Sequence, residues 1–102
     1  MSKRLAYLEK ITSEGSKDSF AWYGLALEYK TLGRIDDALR TFETLRKNDP
    51  AYVAMYLMCG QMLADAGRAE AREWLDAGVA AAKAKGDTHA LGELEAALDA
   101  LH

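Results

Sequence analysis

The chain has 102 residues, half of them hydrophobic, with thirteen lysines and arginines against sixteen aspartates and glutamates. A net charge of −3 excludes the global basic footprint of a nucleic-acid or anionic-membrane binder, and a lone cysteine, Cys59, excludes an intramolecular disulfide. No run reaches the roughly 18–20 apolar residues of a membrane span, and Glu9 and Lys10 cut the N-terminal apolar run short of the ~7–15 residues a secretory signal needs.

One domain over residues 1–102 is expected, and it should be all-α. Alanine, leucine, glutamate and lysine dominate, and there is a single proline. Breakers at Gly15-Ser16, Gly33, Asp49-Pro50, Gly67 and Gly86-Asp87 divide the chain into six predicted helices, about 3–14, 18–32, 35–47, 50–66, 68–84 and 88–101. The first aligns Leu5, Leu8 and Ile11 on one face. The second does the same with Trp22, Leu25, Ala26 and Tyr29, the third with Ile35, Leu39, Phe42 and Leu45. Arg34, Arg40, Arg46 and Lys47 fall on the third helix and read as its solvated face rather than as an anion site. Pro50 suits a first helical turn, with Asp49 as its cap. Gly33 and Gly67 suit the left-handed residue that stops a helix. The fifth helix contains the alanine-rich, lysine-punctuated tract AGVAAAKAKG, which reads as a helix in water, and the sixth aligns Leu91, Leu94 and Leu98.

A period runs through these elements. Gly33 and Gly67 are 34 residues apart, as are Trp22 and Tyr56, Leu25 and Cys59, Ala26 and Gly60, Tyr29 and Leu63. In the other direction Leu39, Phe42 and Leu45 fall on Leu5, Leu8 and Ile11. After Gly67 the register slips by one, so that Ala38 matches Ala71 and Phe42 matches Leu75. A fixed spacing with matched residue sizes is the mark of a structural repeat.

The residues Trp22, Leu25, Ala26, Tyr29, Ala38, Phe42 and Pro50 resemble the tetratricopeptide repeat, whose unit is 34 residues with a W-x₂-L-G-x₂-Y, A-x₃-F, P pattern. Ala26 departs from the usual glycine but keeps a small side chain. The second unit is looser, with Tyr56 at the tryptophan place and Gly78 where Leu45 stood. The resemblance implies an α-α superhelix of about six antiparallel helices: two full repeats, an N-terminal half-repeat and a C-terminal capping helix. Trp22 is expected in the core, where its truncation would cost roughly 3–5 kcal/mol. Glu95, at the place of Ala26 and Gly60, is expected to face solvent, and the acidic last helix reads as the cap of a complete chain.

No reaction is expected of this sequence. Cys59, the one candidate nucleophile, with His89 and His102 as candidate bases, lies on a packing stripe, so it reads as a small buried hydrophobe. One cysteine and two distant histidines make no zinc site, Asp36-Asp37 and Glu93/Glu95 read as helix-start and surface charge, and no cofactor is implied. The resemblance places the working surface on the first helix of each pair: Phe20, Tyr23, Leu27, Lys30 and Thr31, then Ala54, Leu57, Met58, Gln61 and Asp65, with His89 and Glu93 from the last helix. Family members that grip a C-terminal carboxylate use Lys and Asn on this face; Tyr23, Leu27 and Met58 occupy the matching places, which disfavours that ligand. The expected function is therefore capture of a protein, as a peptide or helix, by Phe20, Tyr23, Leu27, Lys30, Leu57, Met58 and Gln61, in the cytoplasm. The alternative is self-association, with the strip or the terminal helices pairing with a second copy.

Overall fold

The computed structural model describes residues 2–101, and these form six α-helices: α1 Lys3–Ser13, α2 Ser19–Thr31, α3 Ile35–Asn48, α4 Val53–Asp65, α5 Ala71–Lys85 and α6 Thr88–Asp99. The all-α class is thus as expected, and no strand occurs among the described residues. The helices group into two compact units, divided between Asp49 and Pro50.

In the first unit, α2 packs against both α1 and α3. Ser2 opens α1 by accepting from the backbone N–H groups of Arg4 and Leu5, and Asp18 opens α2 by accepting from Phe20 N–H, each filling donors that the helix leaves unpaired. Leu5, Leu8, Ala21 and Leu25 form a buried cluster, with Ile11 and Tyr29 packed partly against it. Ala26, Ala38, Phe42 and Leu45 are fully buried. Trp22 departs from its expected role. It is half-buried, and its indole N–H donates to the Ser16 carbonyl at 2.7 Å. A polar edge that reaches the chain's own turn holds the ring at the flank, while Phe42 takes the interior. Truncating Trp22 should therefore cost less than a fully buried aromatic would.

Gly33 has φ +75 and Gly67 φ +70. At each, the next residue closes the helix backwards: Arg34 N–H donates to Tyr29 O at 2.9 Å and Arg68 N–H to Leu63 O at 2.8 Å. The same closure thus recurs 34 residues apart.

Pro50 and Asp49 correct the sequence reading. Pro50 lies in a turn and α4 begins three residues later, at Val53. Its carbonyl accepts from the Tyr56 hydroxyl at 2.6 Å, which uses a core tyrosine to anchor the turn. Asp49 does not cap α4; its carboxylate accepts from Ser19 Oγ at 2.7 Å, joining the end of α3 to the start of α2. Helix α5 likewise begins at Ala71 because residues 69–70 form a turn.

In the second unit α5 packs on α4 and α6 through glycines. A β-carbon at Gly60 would lie 2.4 Å from Leu75 Cδ2, and one at Gly78 would lie 2.6 Å from both Leu94 Cδ2 and Tyr56 Cβ. Around these crossings Tyr56 and Trp74 meet with ring centroids 6.0 Å apart, and Met55, Cys59, Leu63, Leu75 and Leu94 are fully buried. Glu95 is exposed, as expected of a terminal helix.

These contacts set opposite signs for two glycine substitutions. Gly78→Ala should destabilise the protein by about 1–3 kcal/mol, because Tyr56 Cβ is fixed to the α4 backbone and cannot swing aside. Gly92, also helical, has open space around it, so Gly92→Ala should stabilise by roughly 0.5–1 kcal/mol. Thermal melting followed by far-UV circular dichroism checks both; a Gly78→Ala midpoint at or above wild type would show that α5 has room to retreat.

Candidate interaction faces

In the first unit, Phe20, Tyr23, Leu27 and Lys30 recur at spacings of three and four on α2, which puts them on one face. The helix turns Ala21, Gly24, Leu25 and Ala26 inward instead. Phe20 is 67% exposed; Tyr23, Leu27 and Lys30 are half-buried. In the second unit, Leu57 and Met58 on α4 are half-buried and Gln61 is exposed.

The second unit also holds an open groove of about 740 Å³. Gln61 and Asp65 of α4, Arg68 of the following turn, and Ala97, Ala100 and Leu101 at the end of α6 line it, above the buried side chain of Leu75. Of the candidate site residues only Gln61 reaches it, accompanied by Asp65. The far wall was not readable from spacing, because the last turn of α6 is brought beside that of α4 by the α5 packing. His89 and Glu93 do not contribute. They are exposed and pair with each other on the first turns of α6, at 3.3 Å.

Several charged groups in each unit are paired. In the first unit the Tyr29 hydroxyl donates to Glu9 at 2.5 Å, and the Arg34 guanidinium lies 4.6 Å from the centre of the Tyr29 ring. Arg34 Nε donates to Asp37 at 2.8 Å, and Arg40 donates to the other oxygen of the same carboxylate. Arg34 and Arg40 therefore converge on one aspartate. The guanidinium of Arg34, then that of Arg40, holds the Asp37 carboxyl below the usual range, and the same bond to Asp37 raises Arg34. Burial, reinforced by the Glu9 carboxylate, pushes the Tyr29 hydroxyl up to about 12. In the second unit Arg68 binds Glu70 at 3.1 Å and holds that carboxyl low.

The candidate catalytic groups are not brought together. Cys59 is sealed in the core, whereas His89 is in solvent; His102 lies outside the described residues. Among the described residues no three His, Cys, Asp or Glu side chains are grouped as around a metal ion, and no helix is long and apolar enough to cross a membrane.

No protein-family model and no curated protein matches the sequence. Among solved structures, the solution structure of protein BPP2914 from Bordetella parapertussis is similar, with a TM-score of 0.81 and 27% identity over 97% of this chain and 87% of that one. This supports the helical fold.

The paired charges give a pH dependence at each extreme. Tyr29 is raised, so its contribution is complete below pH 10 and is lost as pH rises through about 12. Asp37 is lowered, so its contribution is present above the ordinary carboxylate pKa and is lost as pH falls through the depressed value. Absorbance titration of tyrosinate should show a step near 12 that disappears in Tyr29→Phe; persistence of that step would assign it elsewhere.

Proposed function

We propose that the chain is a protein-interaction module of the tetratricopeptide kind, which takes a peptide or helix of a partner protein on the exposed faces of α2 and α4. The observation that carries this reading is the division of labour along α2. The small and leucine positions of the repeat motif turn inward, while Phe20, on which the motif is silent, stands 67% exposed in the first turn. A large aromatic ring left in water on an ordered helix is the kind of surface that marks an interaction site. The recurrence of the Gly33 closure at Gly67, and of small side chains at Ala26 and Gly60, supports the repeat reading. Tyr23, Leu27 and Lys30 extend the α2 face; Leu57, Met58 and Gln61 form the α4 face, where flexible methionine suits adaptable contact. The module acts without catalysis or cofactor, and a sealed thiol as its lone cysteine suits the cytoplasm.

A second reading, self-association, is favoured by Tyr7, 63% exposed on the terminal helix α1. The solution mass separates the two: 11.2 kDa for a free module, about twice that for a stable pair.

Phe20→Glu and Leu57→Glu should each reduce capture of partner proteins from a native lysate to background, with far-UV circular dichroism unchanged, because a charge on an apolar contact face is desolvated at a loss. Equal capture by wild type and both variants would remove these faces from the interaction.

A further inference from the structure

Four of the six helices end on cations: Lys10 in α1, Lys30 in α2, Arg46 and Lys47 in α3, Lys83 and Lys85 in α5. This is the ordinary arrangement, since the carbonyl end of a helix carries partial negative charge. Helices α4 and α6 break it. Neither has a basic residue in its last turn; neither contains any lysine or arginine at all, and they end on Asp65 and Asp99. It is these two ends that line the groove of the second unit. Residues 50–102 carry eight aspartates and glutamates against four lysines and arginines, and Arg68, the one cation lining the groove among the described residues, is held by Glu70.

Resting on the interaction reading above, we propose that this groove takes a lysine- or arginine-bearing segment of the partner protein. The groove's shape and charge suit such a side chain along its length. The aliphatic stem lies over Leu75 and along the low wall of Ala97 and Ala100, and the cationic head reaches Asp65 and the two helix ends. The alanines keep the walls low, so the backbone of the incoming segment approaches closely. Asp65 and the ends of α4 and α6 thus share the groove with Arg68, which Glu70 already holds, and an incoming ammonium or guanidinium group adds positive charge there.

The test uses the full chain labelled with ¹⁵N and two short capped peptides of leucine and alanine, one bearing lysines and the other glutamates at the same places. The lysine peptide should shift the amides of Gln61, Asp65, Arg68 and Ala97, weaken as salt rises, and bind at least about tenfold more weakly to Asp65→Lys, where like charges face each other. Ala100→Trp, at an exposed position, should fill the groove and abolish those shifts while leaving the amides of α1–α3 in place. Equal binding of the glutamate peptide, or an unchanged affinity in Asp65→Lys, overturns the proposal. Shifts confined to Phe20 and its neighbours on α2 overturn it while leaving the interaction reading intact. Groove shifts that follow protein concentration without peptide assign the site to a second copy and overturn it as well. Failure of both peptides to shift any amide overturns this inference alone, since the capture experiment with Phe20→Glu judges the broader reading.

Discussion

Helix α5 can lie against α4 and α6 only because Gly60 and Gly78 lack side chains. At a normal helix separation the space between axes is filled by residues from both partners. Here one partner contributes nothing at each crossing, so Leu75 enters the gap at Gly60, and Leu94 and the stem of Tyr56 enter the gap at Gly78. The closer approach brings apolar atoms into dispersion contact that a wider spacing would forfeit. It also positions what depends on α5: the Tyr56–Trp74 ring contact, the anchoring of the Pro50 carbonyl by Tyr56, and the end of α6 beside the end of α4. The groove is a by-product of this packing. Helices drawn tightly together at their middles by glycine leave small residues at their ends, and the space there stays open.

The first unit reaches compactness by other means. Its crossings use alanine at 26 and 38, and bulk comes from Phe42 and Leu45. Side-chain polar contacts then tie the helices: Ser19 to Asp49, Arg4 to Glu28, and the run from Glu9 through Tyr29 and Arg34 to Asp37. Such exposed or half-exposed contacts contribute modestly one by one. Their value is geometric, because each fixes the rotation of a helix whose apolar stripe alone would tolerate some roll.

Much of this architecture was legible from residue spacing. Helix number and the stops at Gly33 and Gly67 follow from glycine placement and three-to-four periodicity, which act locally. Readings that depended on side-chain partners across a turn or on another helix fared less well. Trp22 reads as core because it shares the stripe of Leu25, Ala26 and Tyr29 and the tryptophan place of the repeat; that its ring edge meets the Ser16 carbonyl depends on the path of the α1–α2 turn. Asp49 and Pro50 resembled a helix start because local chemistry allows it, but Ser19 and Tyr56 claim their polar atoms instead. The faces of α2 and α4 were readable as stripes. The groove was not, since Ala97, Ala100 and Leu101 carry no chemical signature and gain meaning only beside Gln61 and Asp65.

The burial of Cys59 gives the protein an internal clock. Its thiol is fully enclosed by the core of the second unit, and only the thiolate in contact with solvent reacts with oxidants or alkylating reagents. Modification must therefore wait for that core to part. Once modified, the larger and more polar sulfur no longer suits a fully buried site, which disfavours reclosure. Oxidation at Cys59 then depends on how often the second half breathes as well as on how much oxidant surrounds it, and the residues that hold α5 in place slow that loss.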